Sequence, residues 1–437
     1  MEERWSTRHV LSLAPDATSR KTAGRLSSPA PWSGTGTDGV AVWGECRGSG
    51  RTPYRTAVEL ATPAYRCSCP SRKLPCSHAL GLLLLWSGSP EAVPAAEPAD
   101  WVRAWLRDRR EHVGKRPTAP ADPEAARRRA ERRGARVTAG AAELRLRLAD
   151  RIRHGLADPS GAGPWEEVAA RMVDAQAPGL ATRVRELDAL PPERLLEEYA
   201  MLHLLATAAT RVDELPADLA ATVRARVGYT LDAAEVLAGP TVRDRWLVLG
   251  SRTMPMEGSS DDRLTTRRVW LRGAKTGRPA LLLAFGRPGQ APDLALPTGH
   301  LLEAELAYHP AARPLRAVLG TRHGAPGAGP AEPPAGLSVA EAVAGYGTAV
   351  ADDPWLEGWP TVLTGVVPVR TPDGWYLTDG HHTLPVRAAA VPEPALWRLA
   401  AVSTGRPLTV FGEYGHQGFV PVTAWPAGHR PVGLTHP

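Results

Sequence analysis

The stretch Tyr65-Arg66-Cys67-Ser68-Cys69-Pro70-Ser71-Arg72-Lys73-Leu74-Pro75-Cys76-Ser77-His78 decides how the first part of this chain folds. It holds three of the four cysteines in the sequence and one histidine, all within twelve residues. Alternate residues of an extended strand point to one face, so Cys67 and Cys69 converge. Pro70 and Pro75 stiffen the short connection that brings Cys76 back to them. The apolar run Ala79–Trp86 follows at once and predicts a packed helix. Cys76 and His78 then stand at its N-terminus, where the helix dipole favours a thiolate.

Three thiolates and one imidazole make a complete tetrahedral set for Zn2+, with Zn–S near ~2.3 Å and Zn–N near ~2.0–2.1 Å. A filled tetrahedron leaves no position for a reacting water, so the expected site is structural. Buried unrelated thiols or a redox pair would use the same residue types, but Cys-x-Cys beside Cys-x-His in so short a span argues against them. A disulfide framework fits poorly, because the cysteines are not spread along the chain. Cys46 is expected to be a packed thiol, since the set is complete without it; the alternative is a spare ligand. Gly48-Ser49-Gly50 predicts a tight turn into a second strand, Tyr54–Leu60.

Cys-x-Cys, a variable loop and Cys-x-His resemble the SWIM-type zinc finger at all four ligand positions. The flanking segments Trp43–Gly50 and Pro53–Leu60 are similar to the lead-in of bacterial, actinobacterial-like members. The resemblance covers roughly residues 40–86. It implies a small ββα zinc module that binds DNA or protein, and it implies no reaction. Proteins of this look also accompany MoxR-type ATPases, which implies a protein-interaction adaptor as the alternative.

Composition bounds the rest. A chain of 437 residues predicts two or three domains, and its hydrophobic share of 43% suffices for real cores. It has no asparagine, a single isoleucine, and four lysines against 48 arginines. Arginine is therefore the default cation, and each one is not to be read as a phosphate contact. Residues 101–153 hold sixteen Arg or Lys against seven Asp or Glu, in a chain of net charge +6. That stretch reads equally as a nucleic-acid supplement and as a solvated helix or linker. It lacks aromatics after Trp105, so bases would not stack on it. The N-terminus carries no secretory signal, and the longest apolar run is far below the ~20 residues of a membrane span. A cytoplasmic protein with no membrane partner is expected.

The expected fold class is multidomain α+β: a lead-in (1–39), the zinc module (40–86), a Pro/Ala-rich basic linker (87–125), a helical region (126–238) and a β-rich C-terminal region (239–437). Leu144, Leu148, Ile152 and Leu156 form one stripe at helical spacing. Pro164-Trp165-Glu166-Glu167 and Pro192-Glu193 open further helices, with proline and acids in the first turn. Beyond Arg243 the texture is strand and turn, with no convincing repeat of fixed period. Gly273–Gly277 is a hairpin rather than a P-loop, because the second glycine and following helix that a P-loop needs are missing.

Catalytic constellations are thin. Asp379-Gly380-His381-His382 and Glu413-Tyr414-Gly415-His416 hold hydrolase residue types in apparent turns. A hydrolase ranks last, and a protein that is not an enzyme is expected. The leading expectation is a recognition module for DNA or RNA, or for a protein. Arg66, Arg72 and Lys73 beside the metal ligands are the candidate phosphate contacts, although an ordinary solvated loop would look the same.

Overall fold

The computed structural model describes residues 4–434 except segments 15–16, 49–51, 61–63, 115–121, 156–164, 256–264 and 287–293 and positions 72, 74, 295, 325 and 331. Helices α1 (Thr7–Ser12) and α2 (Ala17–Arg25) precede an antiparallel meander of β1 (Trp32–Thr37), β2 (Ala41–Cys46), β3 (Tyr54–Glu59) and β4 (Ala64–Cys67). Helix α3 (Ser77–Gly88) follows, with all residues from Ala79 to Trp86 buried. A helix apolar all round must be covered on every side. Val10 of α1, Leu13 just after it, Ala23 of α2, and Val42 and Val58 of the sheet supply that cover.

The expected ββα unit is β3-β4-α3, set inside a larger module. The other face of the sheet is also apolar and needs a cover of its own. Helix α4 (Asp100–Gly114) provides it, packing Val102, Trp105 and Leu106 on Ala41, Trp43 and Ala57. The first part of the expected linker is therefore packed. Thr35 Oγ1 donates to Ala92 O at 2.7 Å, and Thr37 bridges Ala95. Ser49 and Gly50 of the expected turn lie outside the described residues. The strands on either side of it pair from Ala41–Glu59 to Cys46–Tyr54.

The helical region comprises α5 (Pro123–His154), α6 (Trp165–Asp174), α7 (Pro178–Glu186), α8 (Pro192–Thr210), α9 (Ala217–Val227) and the short α10 (Ala233–Leu237). Asp122 caps α5, accepting from Ala125 N at 2.9 Å. Val137, Ala141, Leu144 and Leu148 line the inner face of α5. The stripe thus extends toward the N-terminus; Ile152 is 38% exposed, and Leu156 lies outside the described residues. The arginine run is the solvated face of this helix. Arg128 pairs with Glu124 at 3.2 Å, and Arg127 with Glu131 at 3.5 Å. Arg133 is structural, lying 4.1 Å over the Tyr229 ring.

The β-rich region contains the same strand order twice. The first unit holds β5 (Thr241–Pro255), β6 (Thr265–Gly273), β7 (Pro279–Gly286), β8 (His300–Tyr308) and β9 (Arg316–Arg322), with β10 (Gly327–Ala328) added at the edge of β8. The first half of β5 pairs with β8 and the second with β6. Strand β6 pairs with β7, β7 meets β9 in parallel, and β9 closes on β8.

Helix α11 (Val339–Asp352) leads to the second unit: β11 (Trp359–Thr371), β12 (Gly374–Thr378), β13 (Thr383–Pro385), α12 (Glu393–Ser403), β14 (Leu408–Gly415), β15 (Gly418–Trp425) and β16 (Val432–Gly433). Here β11 pairs first with β14 and then with β12, β12 pairs with β13, and β14 with β15. Val386, just after β13, bridges Phe419 in parallel. Numbered within each unit, the strands run 1-2-3-5-4-1 around a barrel, the connectivity of the OB-type fold. Each first strand changes neighbours at a bulge, Val248/Gly250 in one and Leu363/Val366 in the other. Gly365 takes φ +69 there, a conformation that side chains other than glycine's disfavour.

The barrels share a core of Leu247, Leu249 and Trp270 from the first and Val362, Phe411, Val422 and Trp425 from the second. A Cβ on Gly250 would stand 2.7 Å from Val422 Cγ1, so only glycine permits this approach. Trp355, between α11 and β11, enters the helical core and donates its indole N–H to Met201 O at 3.1 Å. No helix among the described residues is long and apolar enough to cross a membrane.

Candidate metal centre

The four expected ligands come from two rigid elements and the turn beside one of them. Cys67 ends β4, Cys69 follows in the turn, Cys76 is the N-cap of α3, and His78 lies in its first turn. One ligand atom from each of Cys67, Cys69, Cys76 and His78 falls within 4.8 Å of all the others. Zn–S bonds of about 2.3 Å imply sulfurs roughly 3.8 Å apart in a tetrahedron, so the cluster is nearly of the size that zinc requires.

The surroundings hold the sulfurs in place. Thr56, paired in register with Cys67, brings its Oγ1 to 3.2 Å from the Cys67 sulfur. The Cys76 sulfur accepts the Ala79 backbone N–H at 3.4 Å, serving as helix cap and ligand together. Arg55 O and N are bonded to Ser68 N and Oγ at 3.0 Å each, which fixes the residue between the first two ligands. The Tyr54 ring packs 4.9 Å from that of His78. His78 Nδ1 is buried with no hydrogen-bond partner. The imidazole that contributes a ligand nitrogen to the three sulfurs thus also carries a buried polar atom that its neighbours leave unsatisfied.

The protonation pattern carries the same message. Donation from Cys67, and next from Cys76, lowers the Cys69 pKa. Cys76 is raised well above its ordinary value, chiefly through its contact with Cys67. The Cys67 contact also raises His78 to about 9. Three sulfurs this close cannot all ionise by themselves; a divalent cation removes the conflict. Cys46 is fully buried at the end of β2, outside the four-atom group, and burial pushes its thiol up to about 11. With a complete Cys₃His set the bound zinc supplies a structural cross-link between β4 and α3.

Of the candidate phosphate contacts, Arg66 is exposed on β4 and Lys73 is exposed in the ligand loop. Arg72 lies outside the described residues. The carboxylates of both hydrolase-type turns are engaged by neighbours, and His416 of the second turn lies within 4.8 Å of Glu197 and Glu198. The Asp379 carboxylate accepts from the amides of His381, His382 and Val339 at 3.0, 2.8 and 2.9 Å. It joins the β12–β13 turn to the start of α11. Those bonds, the one from His382 first, lower its pKa from 3.8 to about 2. They are therefore complete above pH 3.8 and lost as pH falls through about 2. An NMR titration of the Asp379 carboxyl is expected to give a midpoint near 2; an ordinary midpoint would rule out this capping role. Glu413 is engaged by Arg268 at 2.8 Å and by the Trp270 indole at 3.2 Å.

No curated protein and no solved structure matches this chain. Two family models do. The SWIM zinc finger model matches residues 55–86, the stretch from β3 through α3 that holds all four ligands. The model of the SWIM-associated four-helix bundle domain matches residues 132–227, from within α5 to the end of α9. The chain thus contains a SWIM zinc finger, arranged to hold Zn2+ through Cys67, Cys69, Cys76 and His78, and the helical bundle domain associated with it.

Proposed function

We propose that this protein is a non-enzymatic nucleic-acid recognition protein. The observation that carries the reading is the pair of barrels with OB-type connectivity behind the zinc module, since this architecture presents an open strand face and loops to oligonucleotides or oligosaccharides. Exposed Arg66 and Lys73 beside the metal support it, because the zinc would hold both cations at fixed positions. The rival reading is a protein-interaction adaptor. Exposed Leu196 and Leu204 on α8 favour that reading, at 57% and 44% accessibility.

Salt dependence separates the two. Binding of DNA or RNA should weaken steeply with salt, and each lost phosphate contact should lower the slope of log K against log salt by about one unit. The Arg66→Ala, Lys73→Ala variant is therefore expected to lose up to about two units of slope while keeping its zinc. An unchanged slope would remove these residues from the interface. No measurable binding to any DNA or RNA at low salt would transfer the function to the adaptor.

A further inference from the structure

A cavity of about 460 Å³ opens where the helical bundle and both barrels meet. That volume lies within the ~300–1,000 Å³ range of ligand sites. Its charged lining is Arg226 from α9, Arg252 and Arg268 from the first barrel, Arg387 from the second, and two glutamates, Glu357 and Glu413. The glutamates are already paired, Glu413 with Arg268 at 2.8 Å and Glu357 with Arg183 at 2.7 Å. Arg226 is paired with Asp353 at 2.6 Å. Arg252 binds only the backbone carbonyl of Ala390, and Arg387 makes no side-chain hydrogen bond or ion pair among the described residues. Neither of these two cations forms an ion pair among the described residues, although Glu413 lies near enough to act on Arg252.

Beyond the part that the second barrel covers through Trp270 and Leu281, the register of the first barrel extends this wall toward Phe285. Arg252 stands opposite Arg268, which stands opposite Leu283. One pleat further along, Met254 stands opposite Thr266, and Thr266 opposite Phe285. Residues two apart on a strand share a face, so Arg252, Arg268 and Phe285 all lie on the outer face of the first three strands. Phe285 is 52% exposed there. An exposed ring on the same face as Arg252 supplies, with that cation, the two parts that a single strand requires: a π-face for a base and a positive charge for a flanking phosphate.

We propose that this outer face of the first barrel, with the adjoining cavity, binds single-stranded nucleic acid, Phe285 stacking on a base and Arg252 and Arg387 holding phosphates. The proposal rests on the nucleic-acid reading above and adds to it the strand state and the site. A duplex keeps its bases stacked inward and offers no free base to Phe285.

The test uses the full-length zinc-loaded protein with a 20-nucleotide oligothymidylate and a 20-base-pair duplex, read by fluorescence anisotropy across a salt series. The wild type should prefer the single strand. Phe285→Ala should weaken that complex by about 5- to 150-fold. The double variant Arg252→Ala, Arg387→Ala should lower the single-strand salt slope by about 1.4, at roughly 0.7 per phosphate. Arg387→Ala alone changes only an exposed side chain, so about half that drop without any change in the melting profile excludes misfolding as the cause. Oligothymidylate binding that all three variants leave intact would overturn the proposed site while the nucleic-acid reading stands. A wild-type preference for duplex would overturn the single-strand assignment. No binding to either probe would overturn both readings.

Discussion

Chelating the zinc is expected to unfold the N-terminal module from α1 through α4, residues 7–114, and to leave the bundle and barrels folded. Structural zinc contributes on the order of 10 kcal/mol to such modules. A small domain has only about 5–15 kcal/mol of stability in total. The metal closes the connection from β4 to α3, and α3 carries the apolar centre against which α1, α2 and the sheet pack. Since α4 lies on the opposite face of the same sheet, it should be released too. The sequence alone would confine the effect to about residues 40–86. Limited proteolysis with and without chelator, read by mass spectrometry, distinguishes the two extents. Cys69→Ser with Cys76→Ser should reduce zinc from one ion per chain to none, whereas Cys46→Ser should retain it. A chelated protein that has released its zinc and still protects β4 and α3 would show that the apolar core suffices without the metal.

The second large effect is expected from Asp353→Ala, at the junction of bundle and second barrel. Asp353 is buried, pairs with Arg226 at 2.6 Å, and accepts the Trp355 amide at 3.1 Å. Removing one partner of a buried pair typically costs about 3–5 kcal/mol, because the other charge is left without compensation. Arg226 lines the cavity and keeps some access to water, so the lower end, about 3 kcal/mol, is expected. Asp353→Asn, which keeps an acceptor and loses the charge, should fall between wild type and alanine. In a chain of several domains one unfolding curve does not isolate this step. Hydrogen exchange does: amides of α9 and of the 353–359 connection should lose protection while those of the first barrel keep theirs. Unchanged exchange in both segments would mean that Trp355 alone holds the junction.

The metal centre was legible because all its ligands lie within twelve residues, and residue type plus spacing fixes the chemistry. Leu144 and Leu148 were legible for a similar local reason, one helix turn between partners. The paired barrels were not. Their shared feature is the order of strand pairing, set by contacts such as Thr241 with Ala307 and Leu281 with Arg316 that no local pattern encodes. Strand β13 has only three residues, too short to alternate visibly. Helix α12 was missed because Pro394 stands inside its first turn and reads as a breaker, whereas a first turn tolerates proline. The arginine wall was hidden for a compositional reason. With 48 arginines in the chain, the few that face the cavity carry no signal until the fold brings residues 226, 252, 268 and 387 together.

The repeated strand order has a consequence for how the chain is made. Two adjacent barrels with one connectivity invite a particular error during synthesis: a strand from the emerging second copy completes the first, and the product is a trapped hybrid. Here the copies are poor substitutes for one another. The third strand has eight residues in the first barrel and three in the second. Only the second places a helix of the length of α12 between its third and fourth strands among the described residues. The divergence that hides the repeat from the sequence is thus what keeps each copy's strands at home.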